Sequence, residues 1–250
     1  MTFDATAVAG KILAARRSRT QLQATDIDQE ATTLDEAMAV HSLVMAELGN
    51  VGAFKTSKTA EGVQILAPIA ANDVRPNGAT FTGEELVQVG IELEIAFRVE
   101  QPLPALDDAD FANKLKSAVV AYPVIEVVDT RLAFLETSHP MMKLADNQAN
   151  AGLVYGAPVA DWQALNLTNP GHRFTANDSV VSEGPGAVPG GSAFEILEGF
   201  VRVAGNHCGG LQVGQFLTTG ALSGLHWTEK GQTVRGEIDG LGSVEVVIGA

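Results

Sequence analysis

The stretch Ile91-Glu92-Leu93-Glu94-Ile95-Ala96-Phe97-Arg98-Val99 decides how this chain is read. Its apolar residues alternate strictly, which predicts a strand with Ile91, Leu93, Ile95, Phe97 and Val99 turned to a core. The same alternation sets Glu92 and Glu94 together on the opposite face, with Cβ atoms roughly 6.5–7 Å apart. Two carboxylates at that separation either stand apart on a solvated sheet face, the commoner case on spacing alone, or share a divalent cation. A third acid, Glu126, lies in Pro123-Val124-Ile125-Glu126-Val127-Val128-Asp129, a second β-rich apolar run where a charge is costly unless paired. Three such carboxylates suit an oxygen-ligated Mg²⁺ or Mn²⁺.

Composition narrows the function classes. With 250 residues, 46% of them hydrophobic, the chain supports a substantial core as one large domain or one domain with a helical appendage. The net charge of −14 argues against nucleic acid and against anionic membrane surfaces as partners. An acidic protein can still bind an anionic metabolite, given a local positive charge such as a metal ion. Cys208 is the single cysteine, so no disulfide forms within one chain, and this fits a reducing compartment. Asp4 comes early and Arg16-Arg17 follow the apolar stretch, the wrong order for a signal peptide. No uninterrupted apolar run approaches the ~20 residues of a membrane span. These features lead us to expect a soluble, cytoplasmic protein.

The first fifty residues read as helical. Ala5 to Arg17 is alanine-rich and amphipathic, and Thr33-Leu34-Asp35-Glu36 has the form of a capping box, with Gly49 as the stop of the helix it opens. From Val51 onward the pattern is mostly β. Apolar runs recur at Ile65–Ile69, Leu93–Val99, Val119–Val128, Leu153–Val159 and Leu165–Leu167, interrupted by a helix at Asp110–Ala118. Ser179 to Gly191, rich in glycine and proline, reads as a loop. Ser192-Ala193-Phe194-Glu195 opens another helix, and a closing hairpin turns at Asp239-Gly240. The expected fold class is therefore α+β: a helical N-terminal segment over 1–50, then a β-rich catalytic domain over 51–250. A doubly wound nucleotide fold is disfavoured, because neither G-x-G-x-x-G nor a phosphate-loop motif is present.

Taken in order, Thr33-Leu34-Asp35-Glu36-Ala37, Phe54-Lys55, Glu92-Leu93-Glu94-Ile95-Ala96, Glu126-Val127-Val128-Asp129-Thr130-Arg131, Asp146-Asn147 and Gly214-Gln215-Phe216-Leu217-Thr218-Thr219-Gly220 resemble the hydratase/decarboxylase branch of the fumarylacetoacetate hydrolase superfamily. The closing Gly240-Leu241-Gly242-Ser243-Val244-Glu245-Val246 resembles it too. The likeness implies a β-rich fold around Mg²⁺ or Mn²⁺, homo-oligomers, and action on 2-hydroxy-2,4-dienoates or their 2-oxo tautomers. By position it makes Glu92, Glu94 and Glu126 the metal ligands and Lys55 the active-site lysine, with Asn147, Thr219 and Arg131 as substrate contacts. Lys55 would position a substrate carboxylate or shuttle a proton; Arg131 would hold an anionic substrate or pair with a neighbouring carboxylate. The chain departs from the family pattern at Ser57, where a glycine is usual. It departs again at Pro68-Ile69-Ala70-Ala71, where many hydratases carry an acid that Asp73 would have to replace.

The leading expectation is a metal-dependent hydratase making a 4-hydroxy-2-oxo acid. Three alternatives stand beside it: a 4-oxalocrotonate-type decarboxylase, an acylpyruvate C–C hydrolase and a non-catalytic metabolite-binding protein. The five histidines show no zinc-ligand spacing.

Overall fold

Two helices come first, α1 (Ala5–Ser18) and α2 (Leu34–Leu48), in a computed structural model that describes residues 2–58 and 64–250. The Asp4 carboxylate accepts the Ala7 N–H at 3.0 Å and caps α1. At the start of α2 the Thr33 hydroxyl accepts from the Glu36 N–H at 3.3 Å, and the Glu36 carboxylate accepts from the Thr33 N–H at 3.0 Å. This is the capping box expected from Thr33-Leu34-Asp35-Glu36. The helix ends at Gly49, whose φ of 98° is a conformation glycine adopts without steric cost.

Strands dominate the remainder. β1 (Val51–Lys58), β2 (Gln64–Ala70), β3 (Val74–Pro76), β4 (Ala79–Phe81) and β5 (Val89–Val99) lead to α3 (Phe111–Ala118). Next come β6 (Val119–Val128), α4 (Pro140–Ala145), β7 (Asn150–Tyr155), β8 (Gly171–Ala176) and β9 (Ser179–Pro185). After α5 (Ala193–Val203) follow β10 (Phe216–Ala221), β11 (His226–Thr228), β12 (Thr233–Ile238) and β13 (Gly242–Ile248). Among the described residues these strands form two sheets. The larger has the order β2-β1-β10-β5-β6-β7-β3, with β11 also pairing to β5, and the smaller runs β4-β13-β12-β8-β9.

The apolar face of β5 explains how the sheets meet. Ile91, Leu93, Ile95, Phe97 and Val99 are all fully buried, in one core with Phe174 of β8, Val234 of β12 and Val246 of β13. Each such side chain contributes about 1.5–3 kcal/mol by leaving water. The approach is close enough to favour glycine at 236, where a Cβ would come within 2.3 Å of Leu93 Cδ1. A second core joins the N-terminal helices to the body: Ile12 of α1 and Val40 and Val44 of α2 pack with Ala67 of β2 and Met142 and Leu144 of α4.

Three stretches differ from expectation. Ser179–Pro185 is not loop but β9, paired antiparallel to β8 with an irregularity between Phe174 and Thr175. It is an edge strand, where glycine and proline are tolerated because one side needs no ladder partner. Residues 186–191 do form the loop. Leu165–Leu167 is not a strand: the Leu165 N–H closes a turn on Trp162 O at 3.0 Å, and Leu167 O accepts the Ala193 N–H at 2.9 Å. Their backbone groups serve a turn and a helix start instead of a ladder. The run expected from Leu153 to Val159 stops at Tyr155, leaving Val159 a single bridge to Ala121.

Candidate active site

Strand register gathers the charged residues. Glu92 of β5 lies opposite Glu126 of β6, and Glu94 is two residues further along the same face. β10 pairs with β5 on one side and with β1 on the other, which brings Lys55 alongside. One oxygen from each of Glu92, Glu94 and Glu126 lies within 4.8 Å of the others. Lys55 Nζ donates to Glu126 Oε1 at 2.5 Å and is 3.7 Å from Glu92 Oε2. Glu94 and Glu126 are buried, while Glu92 is partly open.

Neighbouring groups orient the acids. Asn150 Nδ2 donates to Glu126 Oε1 at 3.0 Å, and the Gly220 N–H donates to Glu94 Oε2 at 2.8 Å. Gly220 sits at an irregularity in the β10–β5 ladder with φ 97°. Both this conformation and the Pro189 ring, 3.0 Å from where a Cβ would stand, favour glycine there. Glu126 Oε2 is buried with no hydrogen-bond partner among the described residues.

Lys55 Nζ also donates to the Gln148 carbonyl at 3.2 Å. That carbonyl belongs to a strained turn: Asn147, Gln148 and Ala149 all have φ between 50° and 58°. Left-handed conformation costs a non-glycine residue roughly 1–2 kcal/mol, so the surroundings must hold it. Arg131 does much of this. Its Nε donates to Asp146 Oδ1 at 2.5 Å and its Nη1 to Asn150 O at 2.7 Å, while further bonds reach the Asp146 and Asp129 carbonyls. Asp146 Oδ2 takes the Thr130 hydroxyl and the Arg131 N–H.

Electrostatics leave the cluster unbalanced. Burial first, then repulsion from Glu126 and Glu92, pushes the Glu94 carboxyl up to about 8. Burial also raises Glu126, against the pull of Lys55. For Lys55, burial opposes the charge, but Glu126, Glu92 and Glu94 outweigh it and hold the amine above its ordinary range. Three converging carboxylates, one with an orphaned buried oxygen, form a donor set that a hard divalent cation satisfies. The residues present fit Mg²⁺ or Mn²⁺.

Of the residues singled out in the sequence, Lys55, Glu92, Glu94 and Glu126 stand together. Thr219 lines the same cavity, but its hydroxyl donates to Ile95 O at 2.8 Å. Asn147 spends its amide on Pro68 O at 2.9 Å, and Arg131 is committed to Asp146 and the turn. Asp73 faces Arg16, with 3.8 Å between Oδ2 and Nη1, apart from the acid trio. The side chain of Ser57 lies outside the described residues. The roles of Asn150, Gly220 and the Gln148 carbonyl are not legible in the sequence, since each acts through long-range contacts that no local pattern signals. A cavity of about 330 Å³ opens on Lys55, Glu92 and Glu94, walled by Gln64, Pro189 and Ile196.

No protein-family model matches the chain. Its fold is similar to that of solved proteins described as a fumarylacetoacetate hydrolase and a 4-oxalocrotonate decarboxylase. Fumarylacetoacetate hydrolase from Exiguobacterium antarcticum superposes with a TM-score of 0.58 at 13% identity over 81% of this chain and 76% of that one. The 4-oxalocrotonate decarboxylase from Pseudomonas putida G7, complexed with magnesium and adipate, superposes with a TM-score of 0.81 at 21% identity over 98% of both chains. By sequence the chain is similar to 2-keto-4-pentenoate hydratases: that of Burkholderia vietnamiensis (strain G4 / LMG 22486) is 30% identical over 168 residues. This match takes in 64% of the present chain and 60% of the hydratase's length.

Proposed function

We propose that the chain is a divalent-metal-dependent lyase that hydrates a 2-hydroxy-2,4-dienoate, or its 2-oxo-alkenoate tautomer, to a 4-hydroxy-2-oxo acid. The observation that carries this reading is the convergence of Glu92, Glu94 and Glu126 beside Lys55 at the wall of a small cavity. Similarity to 2-keto-4-pentenoate hydratases supports the choice of reaction. The three glutamates would hold Mg²⁺ or Mn²⁺ as oxygen donors. Bound there, the ion would supply Lewis acidity toward a 2-oxo acid.

The chain's own residues do the rest. Lys55 presents Nζ to the cavity, where it binds the substrate carboxylate or moves a proton, and the Gln148 carbonyl fixes its direction. Asn150 and the Gly220 N–H keep Glu126 and Glu94 aimed, as outer partners do in metal sites. Pro189 and Ile196 add apolar surface that limits water beside the acid cluster. Protonation at C5 of a pentadienoate with ketonisation at C2 leaves a conjugated C3–C4 double bond. Water then adds across that bond, hydroxyl to C4 and proton to C3, so the reaction consumes one water and needs no oxidant.

The same reading places the enzyme in the cytoplasm, in keeping with its single cysteine, and makes it a homo-oligomer. Half-exposed Trp227, with Leu225 and Val87 also exposed, offers apolar surface for a second copy.

Ultraviolet assays on 2-hydroxypenta-2,4-dienoate and 2-oxohex-3-enedioate, with and without Mg²⁺, test the proposal. The expected result is Mg²⁺-dependent loss of the dienol with no CO₂ released. Release of CO₂ from the second compound would reassign the chain as a decarboxylase. Glu94→Gln should abolish turnover while circular dichroism stays native; wild-type rates in that variant would remove the case for this site.

A further inference from the structure

A second cavity, of about 340 Å³, lies against the same Lys55, Glu92 and Gln148. Its size is at the low end for small-molecule sites. The two spaces differ in chemistry. The one beside Glu94 has polar walls from Thr56, Gln64 and Thr219, and among the described residues Lys55 is its only cation. The other is walled by Ile65, Val128, Leu135, Leu144 and Leu225, and carries a second cation, Lys143 of α4. Lys143 is half-buried, and its ammonium donates to the Glu136 carbonyl at 3.4 Å, a long bond. Among the described residues no carboxylate lies within ion-pair distance of it. Glu136, whose own side chain is exposed, is the other charged group on that part of the wall.

An apolar slot with a charged metal-ligand end and an unpaired ammonium further along suits a chain with an acid at both ends. A distal carboxylate entering that slot would be costly without a partner, and Lys143 provides one in a protein otherwise strongly acidic. We propose that Lys143 is a specificity-determining residue and that the substrate is a dicarboxylic 2-oxo or 2-hydroxy acid whose second carboxylate pairs with it. This inference rests on the metal-site reading above for the position of the first carboxylate. It adds the identity of the tail.

Calorimetric titration with two saturated, unreactive acids, 2-oxoadipate and 2-oxohexanoate, separates the two ideas. In the presence of Mg²⁺ the wild-type protein should bind 2-oxoadipate about 10- to 100-fold more tightly, the range for a charge-assisted hydrogen bond. Lys143→Met should collapse that ratio toward one, and Lys143→Arg should keep most of it. The ratio of kcat/KM for dicarboxylic over monocarboxylic dienoates of equal length should move in parallel. Equal Mg²⁺-dependent affinity for both acids in the wild type, or an undiminished ratio in Lys143→Met, would overturn the role of Lys143 and leave the metal site standing. Failure of both acids to bind, with or without Mg²⁺, would overturn the metal-site reading and this inference with it.

Discussion

Arg131 and Lys55 are both buried cations beside carboxylates, yet their surroundings are built on opposite terms. Arg131 forms its ion pair with one acid, Asp146, and its guanidinium also donates to the carbonyls of Asp129, Asp146 and Asn150. Both Asp146 oxygens are taken. Lys55 faces three acids, one of which keeps a buried oxygen without a partner among the described residues. The first arrangement is closed, and it holds a strained turn in place. The second is left with excess negative charge, which a protein sustains where a ligand is to complete it. The two are also joined, because the turn clamped by Arg131 carries the carbonyl that fixes Lys55.

If the closed pair is structural, breaking it should cost stability outright. Arg131→Met strands the buried Asp146 charge, and urea unfolding should show a loss of about 3–5 kcal/mol. A loss under 1 kcal/mol would mean that the turn is held by other contacts. The open cluster should respond to a ligand instead. Mg²⁺ at a hundred times its Kd should stabilise the wild type by about 2.7 kcal/mol. For a chain of this size that raises Tm by roughly 5–10 °C. Lack of any Mg²⁺ response in a thermal scan would count against the cluster being a cation site.

A third buried titratable group sharpens the contrast by being satisfied when neutral. His41 of α2 is fully buried, with Nε2 on the Leu144 carbonyl at 2.5 Å and Nδ1 3.3 Å from His207 Nε2. Burial first, with His207 nearby, pushes its pKa down to about 4, although the Leu144 carbonyl pulls the other way. The unfolded chain therefore binds a proton at higher pH than the folded one. The stability that neutral His41 contributes is present above its ordinary pKa and is lost as pH falls from 6.5 toward 4. By pH 5 the loss should be about 2 kcal/mol. Urea titrations at pH 7.5 and 5 on the wild type and on His41→Gln measure it as the difference in slope. Parallel slopes would show that His41 titrates normally.

Much of the architecture was legible because local patterns carried it. The capping residues Thr33 and Ser192 start helices where expected, and the alternation from Ile91 to Val99 is a central strand. The edge strand at Ser179–Pro185 was hidden by its own glycine and proline, which read as loop until the β8 partner is seen. Lys55, Glu92, Glu94 and Glu126 could be named from the sequence because a strand's period of two and the order of motifs mark them. Asn147 and Arg131 also stood out in their motifs, but which groups their side chains engage depends on residues brought near by folding.

Sequence alone determined the α+β class and the shared face of Glu92 and Glu94, since both follow from backbone periodicity within one segment. Only the tertiary structure decided that Glu126 lies opposite Glu92, that Lys55 comes to rest on it, and that Asn150, Gly220 and the Gln148 carbonyl orient the cluster. Those relations join segments tens of residues apart. Ladder register and the packing of two sheets set them, and neither is written in any single stretch of chain.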